Sequence, residues 1–207
     1  MSASRGGRRR TAAGAPRAVK SKGGGTTFVL PPTVTREALL ERGSDRRFRS
    51  LVSDLLTIAT RMEMVREHLG RRMGISGPQY SVLVGVAHLQ GDSGVSVGAL
   101  AQALHVSSAF IAVETGKLAR LGLVLKRRNP QDGRGVLLSL ALPGRLKIDR
   151  ASAEIRAVND LFFGGLDTAS FRALCAAAAR LVEGSSTATT YLDAIAAKPA
   201  LTLGAAG

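Results

Sequence analysis

Apolar residues recur at spacings of four and three along Leu51, Leu55, Ile58, Met62, Val65 and Leu69. This period predicts a long helix over residues 50–70 with a narrow apolar seam, the kind that packs helix on helix. The seam faces either the core of one protomer or a second copy of the chain. A length of about six turns favours the second copy. A short lead-in helix is expected before it, over residues 35–48. After it, "ISGPQYSVLVGVAHL" starts with Ser76 as a helix N-cap and Pro78 in the first turn.

Further on, "QGDSG" breaks that helix and "VSV" is short and β-prone. "VGALAQALHV" and "SSAFIAVETGKLARLG" read as two helices joined by a tight turn at His105, Val106 and Ser107, the second ending at Gly122. "LVLKRR" and "VLLSLAL" then read as two strands around a turn built from Asn129, Pro130, Asp132, Gly133 and Gly135. Two more helical stretches follow, over residues 145–163 and 168–197. Asp167 or Thr168 caps the last, whose apolar stripe runs through Phe171, Leu174, Ala178, Leu181 and Val182. The predicted fold is mainly α with a small β-hairpin: a winged helix-turn-helix lobe plus a helical dimerisation region, α+β in class.

Among 207 residues there are 29 Lys and Arg against 15 Asp and Glu, a net charge of +14. Such a balance points to a polyanionic partner, nucleic acid before an acidic membrane surface. Residues 1–27 read as a disordered basic tail, carrying Arg5, Arg8, Arg9, Arg10, Arg17, Lys20 and Lys22 with no acid. From Lys117 to Arg134 the basic residues are Lys117, Arg120, Lys126, Arg127, Arg128 and Arg134, against the single acid Asp132. In a winged helix the second helix of the pair enters the major groove, while the hairpin reaches phosphates or the adjacent minor groove.

Residues 97–145, "VGALAQALHVSSAFIAVETGKLARLGLVLKRRNPQDGRGVLLSLALPGR", resemble the MarR family of bacterial transcription regulators. Leu118 to Val124 fits the family's linker. Asn129 to Arg134 fits its Asp-Pro-x-Asp-x-Arg wing, with Asn129 in place of the first Asp. "ISGPQYSVL" matches an earlier helix, with Gln79 and Leu83 aligned. The resemblance covers roughly residues 45–195, within a domain expected over 28–200 and followed by a flexible end at 201–207. It implies a dimeric regulator, a repressor that binds an inverted-repeat operator in double-stranded DNA and is released by a small, often aromatic, effector.

The chain departs from the family at Val113, where an Arg is common, and at Thr115, where an apolar core residue is common. Base and backbone contacts are expected from Ser107, Ser108, Phe110, Ala112, Glu114 and Lys117 on the second helix, with Glu114 able to accept from cytosine N4. Arg127, Arg128, Asp132 and Arg134 are expected on the wing, Asp132 as the group that orients Arg134 or caps the turn. An effector cleft would be lined by Met62, Arg66, Tyr80, Val84 and His88.

Other chemistry finds little support. His68, His88 and His105 have no metal-ligand spacing and read as satisfied structural histidines, so no metal or cofactor is expected. The single cysteine, Cys175, reads as a small buried hydrophobe and fits a reducing, cytoplasmic and nucleoid-associated location. No apolar run reaches the ~20 residues of a membrane span. A catalytic Ser/His/Asp set, a phosphate-cradling Gly loop and paired carboxylates are missing, so no enzyme is expected. The competing reading is an architectural DNA- or RNA-binding protein that uses tail and wing without sequence choice.

Overall fold

The computed structural model describes residues 28, 30–130 and 135–196. The basic tail, the wing-tip residues Asp132, Gly133 and Arg134, and the C-terminal segment 201–207 lie outside the described residues. The chain divides into two compact units, residues 1–63 and 64–207, and helix α1, Arg46–Arg72, belongs to both.

In the first unit the lead-in helix expected over residues 35–48 is not formed. Before α1 only a single 3-10 turn, Glu37–Leu39, appears there, and residues 46–48 already belong to α1. Arg42 and Gly43 take φ of 51° and 78°, left-handed values that end any right-handed helix. Glu41 and Ser44 close this reversal with two backbone hydrogen bonds of 2.9 and 3.0 Å. Asp45 then accepts from the Thr33 amide at 2.7 Å and the Thr33 hydroxyl at 2.8 Å. These bonds, with the Arg49 guanidinium beside them, hold its carboxyl below the usual carboxylate range, although burial opposes them. Helix α1 begins directly after this residue. In this unit the seam residues Leu51, Leu55 and Ile58 are exposed.

The second unit is built on the end of α1, where Leu69 is buried. Helix α2, Gly77–Leu89, opens on a capping box: Ser76 Oγ accepts from the Gln79 amide, and Gln79 Oε1 accepts from the Ser76 amide at 3.0 Å. Strand β1, Val95–Ser96, leads into α3, Val97–Ala103. Helix α4, Ser108–Arg120, follows at a bend of 111°, with Ser107 as its N-cap. In the turn between them His105 adopts φ 52°. Strands β2, Val124–Arg128, and β3, Val136–Leu140, pair antiparallel in the register Val124 to Leu140 and Arg128 to Val136. β1 joins the outer edge of β3, giving the order β1-β3-β2.

One core holds α2, α3, α4 and the sheet together. Leu83, Leu100, Ile111, Leu118 and Leu138 are fully buried in it. Helices α5, Leu142–Phe163, and α6, Thr168–Ala196, complete the unit. α5 starts three residues before the expected boundary, with Pro143 in its first turn. Lys147 Nζ donates to the Met73 carbonyl at 2.6 Å, and Arg72 reaches Glu154 at 3.2 Å, tying α5 to the chain around the end of α1. Asp167 caps α6 by accepting from the Ser170 amide at 2.7 Å, which lowers its pKa. No residue of α6 is buried, and its apolar stripe faces outward. Cys175 is therefore exposed, contrary to the expectation of a buried hydrophobe, because no described residue covers that helix face. His88 and His105 are also exposed rather than satisfied in a core. His68 lies 3.6 Å from Glu154.

Candidate nucleic-acid interface

Helix α4 has two faces set by its sequence. Ile111, Glu114, Thr115 and Leu118 recur at the spacings of one helical stripe and are buried. Ala109, Ala112, Val113, Lys117 and Arg120 form the opposite stripe and are exposed. Thr115 fits the apolar wall because its hydroxyl donates to the Ile111 carbonyl at 2.7 Å. Ser107 and Ser108 are exposed at the start of the helix, and Phe110 is 36% exposed. Ser107 spends its side chain on the cap, accepting from the Phe110 amide at 3.1 Å.

Glu114 departs from its expected role. It is 6% exposed and faces inward, so it is not a base-reading acceptor on the outer stripe. Its Oε1 takes the Lys117 ammonium at 2.7 Å, and Oε2 is buried with no hydrogen-bond partner among the described residues. The stripe spacing carried this signal, since Glu114 falls between Ile111 and Leu118.

The wing strand β2 carries further cations. Arg127 Nη2 donates to the Ser93 carbonyl at 2.9 Å, anchoring β2 to the loop before β1. Lys126 Nζ reaches toward the Ala112 carbonyl at 3.5 Å, so it stands over the exposed face of α4. Lys126 was not among the expected contacts; its alternation with Arg127 along β2 was the available signal. Arg128 is exposed at the end of β2. Asn129 donates to the Gly135 carbonyl at 2.8 Å and closes the described part of the hairpin. Gln90 Oε1 accepts from the Leu140 amide at 2.8 Å and pins β3 to the end of α2.

A helix-turn-helix, a three-stranded sheet and a wing carrying Lys126, Arg127 and Arg128 stand here on one core, and the family model for the MarR family matches residues 69–135. The winged lobe resembles that of the MarR family. Solved MarR-family structures share its fold. AbsC, a MarR family transcriptional regulator from Streptomyces coelicolor, superposes with a TM-score of 0.60 at 18% identity, over 67% of this chain and 94% of its own. The S. aureus MepR–DNA complex gives 0.57 at 16%, over 65% and 96%. The PcaV regulator from Streptomyces coelicolor, solved with its natural ligand, gives 0.50 at 25%, over 61% and 90%. No curated protein matches the chain by sequence.

The expected effector residues divide. Met62 belongs to the first unit; Arg66, Tyr80, Val84 and His88 belong to the second. Tyr80 is buried, which pushes its phenol pKa up, while the nearby Arg66 guanidinium works against that rise. Val84 is half-buried and packs on the core, and His88 is exposed. A separate cleft of about 500 Å³ in the second unit is lined by Arg72, Met73, Leu146, Lys147 and Arg150 among others, and sequence reasoning did not anticipate it. Among the described residues no cluster of His, Cys, Asp or Glu is arranged to hold a metal ion.

Proposed function

We propose that the chain is a homodimeric, sequence-specific DNA-binding transcription regulator of the MarR type. It represses from an inverted-repeat operator and is released by a small effector. The observation that carries this reading is the pairing of two elements on one rigid lobe. The exposed stripe of α4 is narrow and small-sided enough for a major groove, and Lys126 stands over it from β2, with Arg127 and Arg128 exposed further along that strand. Arg134 at the wing tip is read as the minor-groove or phosphate contact, with Asp132 orienting it.

The homodimer reading rests on apolar surface left uncovered in each unit. Leu51, Leu55 and Ile58 are exposed in the first; Phe171, Leu174, Leu181 and Val182 are exposed in the second. Exposed apolar runs of this kind mark association surfaces. The effector reading draws on the buried Tyr80 with Arg66 near it, and on PcaV, which was solved with its natural ligand. The alternative, architectural binding to DNA or RNA without sequence choice, is separated by competition. A labelled duplex selected from a randomised pool is displaced by itself, by random duplex and by RNA. Preference for the selected duplex supports the regulator; equal displacement supports the architectural reading.

A further inference from the structure

A carboxylate buried in an apolar wall with one oxygen unpaired is costly, and Glu114 is such a group. The Lys117 ammonium, 2.7 Å from Oε1, is its only recorded partner among the described residues. If Lys117 swung away to follow a phosphate, the whole carboxylate would be left unpaired. The pair therefore stays closed when the helix meets DNA. An ammonium has three donors, and one is spent on Glu114. The others remain on a side chain that is 44% exposed. Its charge is locally cancelled, and its ammonium group is tethered to one place by Glu114. On the outer stripe, Ala109, Ala112, Val113 and Gly116 offer no side-chain donor or acceptor. Lys117 is thus the first hydrogen-bonding side chain on that stripe.

We infer that Glu114 is a positioning residue that turns Lys117 from a phosphate-binding charge into a fixed donor for guanine O6 and N7 in the major groove. This rests on the DNA-binding reading above. It reverses the usual division of labour for a lysine, which more often follows backbone charge than a base edge.

The test uses the full chain and its Glu114→Gln and Glu114→Leu variants. Gln keeps an acceptor without the charge, and Leu replaces the carboxylate with an apolar group of similar size, so a fold survives in at least one. Wild type first selects duplexes from a randomised pool. Binding is then measured across salt concentrations on the selected duplex, on random duplex, and on the selected duplex with guanine replaced by 7-deazaguanine. Wild type is expected to lose about tenfold or more on the 7-deaza duplex, the usual scale for one purine contact. The folded variants are expected to lose much less. They should also bind random duplex more tightly, with a salt slope steeper by about 0.9, as one more phosphate is engaged. A lower melting temperature with unchanged slope and unchanged 7-deaza sensitivity would mean a purely structural role and overturn the inference. If wild type selects a sequence that is insensitive to 7-deazaguanine, this inference alone fails. If wild type selects no sequence at all, the DNA-reading function fails with it.

Discussion

Helix α5 lies so close to Leu123 that a Cβ added at Gly144 would sit 2.2 Å from the Leu123 carbonyl oxygen. The same carbonyl accepts from the Ala141 amide at 3.0 Å, so the contact joins the entry of β2 to the exit of β3. Gly144→Ala should therefore destabilise the lobe, by about 1–3 kcal/mol as overpacking against backbone usually does. Gly116, inside α4, meets nothing closer than 3.9 Å at the same imagined atom. Gly116→Ala should stabilise by about 0.5–1 kcal/mol through helix propensity. Urea unfolding of the two variants measures both signs; a neutral Gly144→Ala would refute the close packing.

Asp45 makes the first unit sensitive to acid. Its folded pKa is depressed, first by the Thr33 hydrogen bonds and then by Arg49. The stability it contributes is present above the ordinary carboxylate pKa and is lost as pH falls through the depressed value. The Thr33 amide should exchange slowly at neutral pH and faster in Asp45→Asn at the same pH. Native-state hydrogen exchange reads this. Equal protection of Thr33 in both proteins would mean that the carboxylate does not hold that segment.

On the homodimer proposal the chain should be a stable dimer at micromolar concentration. Leu55→Glu in α1 and Leu181→Glu in α6 each place a charge on an exposed apolar face. Each variant should sediment as a monomer or a weakened dimer while its circular dichroism stays helical, since neither side chain is buried in the protomer. A wild-type monomer would contradict the homodimer.

Arg134→Ala should weaken binding to the selected duplex by about 1–3 kcal/mol, the usual effect of losing one groove or phosphate contact by arginine. Fluorescence anisotropy at one salt concentration, beside a thermal melt, separates lost contact from lost fold. Unchanged affinity would remove the wing tip from the interface.

Much of this was legible because local chemistry and tertiary packing agree. Ser76, Pro78 and Gln79 announce α2; Ser107 and Gly122 bracket α4; the basic and apolar strands of the wing pair as their patterns require. The lead-in helix was misread because residues 35–48 are good helix formers by composition. Left-handed Arg42 and Gly43, and the long-range hold of Asp45 on Thr33, override that propensity. Glu114 was misassigned for a related reason. Its charge suggested an exposed reader, whereas its place on the Ile111 to Leu118 stripe put it inside, where only Lys117 makes it tolerable. The apolar character of Cys175 points to a core, yet no described residue covers its face of α6.

A winged lobe that reads sequence as a two-fold dimer selects a site with the same two-fold symmetry. The most direct measurement selects duplexes from a randomised pool and compares the winner with random duplex by competition anisotropy. The expected winner is an inverted repeat with half-sites about one turn, ~10 base pairs, apart centre to centre, preferred about 10³-fold or more over random duplex. An asymmetric site of single half-site length, or equal affinity for selected and random duplex, would contradict it.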